Sequence, residues 1–331
     1  NKESVNWFQG TFEEALVEEG ITEAGALSSF IAAGTAHSSH GINTLPFFVF
    51  YSIFGFQRVG DLIFAAGDQR TRGFLIGATS GRTTLNGEGL QHQDGHSHLL
   101  AYTHPHVVAY DPAFGYELAV IMRDGIQRMY GHEEDLIYYL TVQNEDYVMP
   151  NMPRGAEEGI LKGMYLLQPA TKKSARPVNL LASGSIINEA LRAQQILGDR
   201  FDIDAAVWSI TSFRQLHEDG VAFDRRCLRN PGTTQIRPWI NQCLADEIGS
   251  FVIASDYIKA LPNSIARWFP RPPISLGTDG FGRSDSRAAL RNFFEIDAET
   301  IAYAAIIDLH RQGLADKAEV QRSISELDID T

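Results

Sequence analysis

The stretch from Gly81 to Leu100, GRTTLNGEGLQHQDGHSHLL, concentrates side chains that can transfer protons or bind ligands. It contains His92, His96 and His98, together with an aspartate, a glutamate and four glycines. Histidine titrates near neutral pH and also ligates metals, while glycine lets the backbone approach a ligand closely. The composition therefore allows a metal centre, a phosphate cradle, or the floor of a site for an organic cofactor.

The first possibility is a metal centre formed by the histidines. His92 and His96 would share one face of a helix, but Gly89 and Gly95 disfavour a helix there. The spacing matches neither the HExxH motif of zinc proteases nor a zinc finger. A metal-dependent hydrolase that uses His92, His96 and His98 is therefore kept as an alternative.

The second possibility, a phosphate cradle, has little support in the spacing. GATSGRTT from Gly77 and GTDGFGRSDS from Gly277 both lack the pattern of a P-loop, so we expect tight turns there. The third possibility, an organic cofactor site, is favoured because the stretch follows RGFLIGAT, which predicts a short buried strand. In open parallel sheets, ligands bind at the carboxyl ends of the strands.

Strand-like and helix-like patterns alternate along the chain, which predicts an α/β protein with mainly parallel sheets flanked by helices. EAGALSSFIAAGTA predicts a helix with Glu23 at its front, and LPFFVFYSI predicts a strand buried on both faces. IKALPNSIARWF predicts a helix, and Asp297 stands where an N-cap belongs. Polar and Pro/Gly clusters around VMPNMPRGAEEGI predict two domains, 1–152 and 153–331.

The composition argues against several classes of protein. A formal net charge of −13 disfavours a nucleic-acid-binding surface, which requires clustered Lys and Arg. No apolar run is long enough to cross a membrane, and two cysteines cannot form a disulfide framework, so we expect a cytoplasmic protein. The chain begins without Met, shortly before a helix-like pattern over residues 12–19, so we expect a fragment or a processed product.

Five motifs, in this order, resemble one enzyme family: GITEAG, FFVFYSIFGFQRVGD, SGRTTLNGEGLQHQDGHSH, YDPAFGYELAVIM and LGTDGFGRSDSR. The family is the homodimeric bacterial pyruvate dehydrogenase, the thiamine-diphosphate-dependent decarboxylating component. GEGLQHQ and the strand before it are also similar, more distantly, to the pyrimidine-binding domain of transketolases. The resemblance implies that domain 1–152 is the later part of a pyrimidine-binding domain and that 153–331 is a transketolase-like C-terminal domain.

The resemblance also implies roles for three residues. Glu23 matches the family's glutamate that pairs with a ring nitrogen of the aminopyrimidine and favours its reactive imino tautomer. From the residues alone, Glu23 would be an acid that stabilises a helix N-terminus. Tyr51 would stack on the pyrimidine ring, although an aromatic residue of the strand core fits the same pattern. His92, in the GEGLQH motif, would face the substrate and donate a hydrogen bond or transfer a proton.

The resemblance further implies that the complete enzyme decarboxylates pyruvate oxidatively and passes the acetyl group to the lipoyl group of a dihydrolipoyl acyltransferase. The thiamine diphosphate would be held with Mg²⁺, whose GDG-type motif is absent from this sequence, so we expect the magnesium ligands in a missing N-terminal domain. We expect a homodimer, and we expect this chain alone to be inactive. The same chemistry on another short 2-oxo acid stays open, as does a role as a non-catalytic dimerisation fragment.

Overall fold

The structure, a computed structural model, describes residues 18–171, 176–233, 235–245 and 249–330. These residues form two sheets of mainly parallel strands flanked by helices, so the predicted α/β class is confirmed. Most of the helix-like pattern over residues 12–19 lies outside the described residues. Within the described ranges, no helix is both long and apolar enough to span a membrane.

The first sheet is formed by four strands. They are β1 (Phe47–Phe50), β2 (Gly73–Ala78), β3 (Val107–Tyr110) and β4 (Ile137–Val142). Their order is β1-β2-β4-β3, and every pairing is parallel. The helices of this half are α1 (Glu23–Gly34), α2 (Ala36–Ser39), α3 (Phe56–Asp68), α4 (Ser97–Ala101) and α5 (Gly115–Ile126). Helices cover both faces of the inner strands, which explains why β2 and β4 are apolar and mostly buried.

The second sheet is formed by five strands. They are β5 (Met164–Gln168), β6 (Val178–Ala182), β7 (Ala205–Ile210), β8 (Ser250–Ala254) and β9 (Ile274–Leu276). Their order is β5-β7-β6-β8-β9, and β5 alone among these strands pairs antiparallel. The helices of this half are α6 (Glu157–Lys162), α7 (Ile187–Phe201), α8 (Phe213–Arg229), α9 (Trp239–Leu244), α10 (Ala260–Asn263), α11 (Arg287–Phe293), α12 (Ala298–Arg311) and α13 (Lys317–Glu326).

The prediction of β1 is confirmed, but the prediction that both of its faces are buried is wrong. Phe50 packs into the core beside α1 and α3, whereas Phe47 and Val49 are 46% and 61% exposed. The reason is the position of β1, which pairs only with β2 and forms an edge of the described sheet. An edge strand can be as apolar as an inner one, so its composition did not indicate the exposed face.

The helix boundaries in the second half confirm one prediction from the sequence and contradict another. Asp297 is the N-cap of α12, as predicted, and its Oδ1 accepts a hydrogen bond from Thr300 N at 2.8 Å. The continuous helix predicted for IKALPNSIARWF is wrong, because the chain forms the short α10 and then a separate 3-10 turn at Ala266–Trp268. In a helix that began at Ile258, Pro262 would lie beyond the first turn and would have no N–H to donate to Ile258 O, which disfavours a continuous helix.

A buried carboxylate joins the two sheets. Glu117, in the first turn of α5, accepts hydrogen bonds from Ser209 Oγ at 2.7 Å and from Tyr165 OH at 2.8 Å. The backbone N–H groups of Ala113 and Phe114 donate to the same carboxylate at 2.5 and 3.1 Å. Burial raises the pKa of Glu117, and these hydrogen bonds oppose the shift. Since Ser209 and Tyr165 belong to the second sheet, Glu117 helps to fix how the two halves pack.

We expect Glu117→Ala to lower the free energy of unfolding by about 3 kcal/mol, because two hydroxyls and two backbone N–H groups lose their acceptor. Glu157→Ala is the control, since Glu157 is an exposed acid in the first turn of α6 whose removal should cost about 0.5 kcal/mol or less. Urea denaturation at neutral pH measures both values. A loss below about 1 kcal/mol for Glu117→Ala would contradict its role between the sheets.

Candidate active site

Two segments leave the first sheet at the same edge, and both carry predicted site residues. Tyr51 directly follows β1, and the loop from Thr79 to His96 follows β2. His92 ends a 3-10 turn, Leu90–His92, in the middle of this loop. Since β1 and β2 are parallel neighbours, their carboxyl ends adjoin, and this is the edge at which open α/β sheets bind ligands.

Three aromatic rings form a cluster at this edge. The ring centroids of Tyr51 and His92 lie 4.8 Å apart, and those of Phe54 and His92 lie 5.6 Å apart. The rings of Tyr51 and Phe54 meet edge to face at 6.0 Å. Tyr51 is 40% exposed, so part of its surface remains free for a further planar group.

Glu23 reaches this cluster through Arg58. Arg58 Nη1 donates to Glu23 Oε2 at 3.0 Å, and the guanidinium carbon lies 4.1 Å from the centroid of the Phe54 ring. The Glu23 side chain is 15% exposed, whereas that of Arg58 is 51% exposed. A half-exposed ion pair of this kind contributes about 0–1 kcal/mol, so the carboxylate can exchange its partner at low cost.

The local sequence explains why Glu23 stands at this position. Thr22 is the N-cap of α1, and its Oγ1 accepts a hydrogen bond from Gly25 N at 3.3 Å. Glu23 is therefore the first helical residue, where the helix dipole favours a negative charge. Its Oε1 accepts no hydrogen bond from the described part of the chain, which leaves an acceptor available to a ligand.

His92 stands between the aromatic rings and an acidic side chain. Its Nδ1 lies 3.2 Å from Glu88 Oε2, within ion-pair distance, but the two groups are not aligned for a hydrogen bond. Within the described residues, Nδ1 is a buried ring nitrogen without a hydrogen-bond partner, and such an atom indicates a ligand or a water molecule. The side chain of Glu88 is 39% exposed, so the site opens towards solvent.

The other two histidines of the loop region do not join His92. His98 is buried, and its Nε2 lies 2.9 Å from Thr141 Oγ1. Burial lowers the pKa of His96, and the nearby Arg82 guanidinium lowers it further. Among the described residues, no group of three or more His, Cys, Asp or Glu side chains could hold a metal ion. The geometry therefore gives no support to a metal centre built on His92, His96 and His98.

Phe54 and Arg58 were missed by the sequence analysis, although the sequence contains a signal for both. They lie three and seven residues after Tyr51, within the run YSIFGFQR. The structure forms a 3-10 turn at Ser52–Phe54 followed by α3, and helical spacings of this kind return side chains to one side. The same spacing that brings Phe54 against Tyr51 therefore brings Arg58 towards Glu23.

The assembled side chains can hold a planar nitrogen heterocycle. Glu23 supplies a carboxylate acceptor, Tyr51 supplies a partly open aromatic face, and His92 supplies an unpaired ring nitrogen. The structure thus brings all three predicted site residues to one region, with Arg58 and Phe54 between them. Their individual roles stay predictions.

Comparison with known families and proteins gives consistent matches. The family model for the pyruvate dehydrogenase E1 component middle domain matches residues 1–150, and that for the transketolase-like C-terminal domain matches residues 163–297. The chain is 50% identical, over all of its length, to the pyruvate dehydrogenase E1 component of Pseudomonas aeruginosa, of which it covers 38%. It is 46% identical to the same component of Escherichia coli K12, of which it covers 37%. The chain thus spans less than two fifths of these relatives.

Solved structures show a similar fold at low sequence identity. Transketolase from Campylobacter jejuni matches 82% of this chain, and 37% of its own, with a TM-score of 0.60 and 19% identity. A split gene transketolase, described as an inactive beta4 tetramer, matches 92% of this chain and 87% of its own, with a TM-score of 0.64 and 17% identity. At these identities the likeness supports the fold alone, and it agrees with the transketolase-like architecture expected from the sequence.

We expect His98→Gln to reduce the loss of stability that accompanies acidification. Burial lowers the pKa of His98 in the folded protein, against the opposing charges of Asp111 and Asp94. In the unfolded chain, His98 binds a proton below about pH 6.5, whereas in the folded chain its imidazole stays neutral. The free energy of unfolding therefore decreases as the pH falls, by up to about 1.4 kcal/mol per pH unit. Urea denaturation at about pH 7.5 and about pH 5.5 measures this dependence.

Thr141→Val is the control for His98→Gln. It removes the hydroxyl partner of His98 but keeps the imidazole, so it should lower stability at both pH values and leave the fall on acidification in place. If His98→Gln and the unsubstituted protein lose the same stability between the two pH values, the buried neutral imidazole does not cause the dependence.

Proposed function

Because this chain belongs to the pyruvate dehydrogenase E1 component family, we propose that it forms the pyrimidine-binding and C-terminal parts of an enzyme that oxidatively decarboxylates pyruvate. The two parts meet near residue 152, between the regions that the two family models match. The complete enzyme transfers the acetyl group to the lipoyl group of a dihydrolipoyl acyltransferase. The observation that carries the proposal is the convergence of Glu23, Tyr51 and His92 at the carboxyl edge of the first sheet.

The residues present fit thiamine diphosphate on the pyrimidine side. Glu23 Oε1 is free of hydrogen bonds from the described residues, and its ion pair with Arg58 is half exposed and easily exchanged. Tyr51 offers part of a ring surface at the same edge. When bound, thiamine diphosphate supplies the electron sink for decarboxylation of a 2-oxo acid. We place the magnesium ligands in the remainder of the enzyme, because this sequence lacks the GDG-type motif that the resemblance associates with them.

Glu23 and Tyr51 bind and orient the aminopyrimidine. The Glu23 carboxylate would accept a hydrogen bond from a ring nitrogen of the aminopyrimidine, and this would favour the tautomer whose exocyclic nitrogen can take up a proton. Tyr51 would stack on the aminopyrimidine ring and orient it, since offset aromatic stacking constrains orientation. Phe54 supports Tyr51 from the side, and its contact with Arg58 holds the guanidinium near Glu23.

His92 faces the substrate. Its imidazole lies against Tyr51, and its unpaired Nδ1 can hold or deliver a proton at the substrate oxygen. Glu88 Oε2 lies 3.2 Å from Nδ1, so a carboxylate stands beside the ring nitrogen that we assign to proton transfer. His92 thus offers a group for proton transfer beside the position that we assign to the cofactor.

The remaining functional assignments concern the assembly. We place the enzyme in the cytoplasm as a homodimer whose active site needs the domain that binds the cofactor diphosphate. This chain alone is therefore inactive in our proposal. Another short 2-oxo acid remains a candidate substrate. The alternative to an enzyme is a non-catalytic fragment that serves dimerisation.

In the complete protein, we expect Glu23→Gln and Glu23→Ala to lower pyruvate turnover by at least about 100-fold, because both remove the carboxylate that sets the tautomer. Pyruvate-dependent reduction of an artificial electron acceptor, with cofactor and Mg²⁺ in excess, measures turnover. Glu299→Gln is the matched control, since Glu299 also lies in the first turn of a helix and pairs with an arginine, at 3.5 Å from Arg192. Its activity should stay within about 2-fold. Retention of a tenth or more of the activity by Glu23→Ala would rule out the role assigned to Glu23.

We expect His92→Ala to lower kcat by about 10- to 100-fold while the Kd for thiamine diphosphate changes by about 3-fold or less. The reason is that His92 faces the substrate, whereas Glu23 and Tyr51 hold the cofactor. Steady-state kinetics and a cofactor titration measure the two quantities. His132→Ala, an exposed histidine before β4 at the opposite edge of the sheet, is the control and should change neither. A loss of cofactor affinity without a loss of kcat would show that His92 does not have the role assigned to it.

A further inference from the structure

The loop that carries His92 is held by the second half of the chain. Asp256 follows β8 by two residues, is 5% exposed, and lies against the start of this loop. Its Oδ2 accepts a hydrogen bond from Arg82 N at 2.9 Å. Its Oδ1 accepts from Thr83 N at 3.0 Å and from Thr83 Oγ1 at 2.8 Å. One buried carboxylate therefore receives donors from two successive residues of the loop.

The backbone of the loop is shaped to receive this carboxylate. Gly81 has a φ of +89°, which favours glycine, and a Cβ at this position would overlap Asp256 Oδ2. The successive N–H groups of Arg82 and Thr83 then point to the same side and form an anion-binding concavity. The protein supplies the anion itself, which explains why this glycine-containing turn is not a phosphate cradle.

The far end of the loop is tied to the same strand end. Ile258 N, two residues after Asp256, donates to Gly95 O at 3.1 Å. The Arg82 guanidinium lies against Gly95, where a Cβ would collide with it, and donates to Thr278 O. Both ends of the loop are therefore fixed by the second half, while its middle faces the aromatic cluster.

A second segment of the C-terminal half holds the part of the loop that precedes His92. Arg287 Nε, at the start of α11, donates to Thr84 O at 2.9 Å. Gly87 N donates to Asp285 O at 3.2 Å. Together with the hydrogen bonds of Asp256, these contacts join the loop to the second half over much of the loop's length.

We propose that Asp256 is a positioning residue, whose carboxylate fixes the start of the loop and thereby sets His92 against Tyr51. The proposal rests on the function proposed above, in which His92 faces the substrate. Asp256 itself is buried beneath the loop and acts through Thr83 and the backbone that follows. A displacement of about 1 Å can lower an enzymatic rate by about 100-fold, so the anchor of this loop governs turnover.

The surroundings of Asp256 support this role. Burial raises the pKa of Asp256 to about 7, and the hydrogen bonds from Thr83 oppose the shift. Among nearby charges, Arg291 lowers the pKa and Asp111 raises it. Burying a carboxyl here is unfavourable compared with an apolar side chain of similar volume. The benefit of the carboxyl is therefore geometric: both of its oxygens accept directional hydrogen bonds from the loop.

A double-mutant cycle in the complete protein tests the proposal. We expect Asp256→Asn to lower kcat for pyruvate by about 10-fold, because an amide offers one acceptor oxygen in place of two, while the cofactor Kd changes by about 2-fold or less. In a His92→Ala background, we expect the same substitution to change kcat by about 2-fold or less, because the residue that it positions is gone. Thr83→Val, which removes only the hydroxyl donor, takes the place of Asp256→Asn in the cycle if that variant does not fold.

Amide hydrogen exchange gives a readout that does not depend on activity. We expect Asp256→Asn to speed exchange in the segment 82–95 by at least about 10-fold and to leave β6 unchanged. Asp308→Asn is the matched control, since Asp308 is another buried acid of the second half but pairs with Arg271 at 3.5 Å. It should leave both the loop exchange and kcat unchanged.

Two outcomes would overturn the proposal. One is an equal fold-loss of kcat from Asp256→Asn with and without His92, which would mean that the two residues act independently. The other is unchanged exchange in the segment 82–95. Absence of pyruvate turnover in the unsubstituted complete protein would instead count against the proposed function, and the exchange measurement would still decide whether Asp256 anchors the loop.

Discussion

The parallel pairing of β1 with β2 is the constraint on which the candidate active site depends. Its register runs from Phe47 opposite Phe74 to Phe50 opposite Gly77, so the two strands end together. Tyr51 and the loop after β2 therefore start at the same edge, and the rings of Tyr51 and His92 come within 4.8 Å. A slip of one residue would turn every side chain of β1 to the opposite face and separate these rings.

Two kinds of contact position the side chains of the site, and they differ in how far apart the partners lie in the sequence. Glu23 and Tyr51 are placed by local structure, because one begins a capped helix and the other follows a strand directly. His92 lies in the middle of a long loop, at the end of a 3-10 turn of only three residues, Leu90–His92. Its position depends on contacts with the second half, above all those of Asp256 with Thr83. The part of the site that we propose to bind the cofactor is thus built locally, whereas the position of His92 depends on how the two halves pack.

This difference explains how much could be predicted from the sequence. The alternation of elements, the helix that begins at Glu23 and the N-cap at Asp297 follow from local patterns, and the structure contains them. The exposed face of β1 could not be predicted, since an edge position depends on which strands pair. Asp256 could not be found either, because it ends an apolar strand-like run and its partner Thr83 lies 173 residues earlier. Local periodicity contains no information about contacts at such separations.

Directional hydrogen bonds to buried carboxylates join the two halves, beside the mostly buried ion pair of Arg291 with Glu145. Glu117, Asp111 and Asp256 are all buried there, although the chain already carries a net charge of −13. Each accepts hydrogen bonds from hydroxyl, amide or backbone N–H groups; Asp111, for example, accepts from Thr141 Oγ1 at 2.6 Å. Neutral donors offset the desolvation of a carboxylate only when their geometry is well aligned, so small rotations of one half against the other are unfavourable. The hydrogen bonds of Asp256 with Arg82 N and Thr83 belong to this junction, so the packing of the two halves also affects the position of the loop that carries His92.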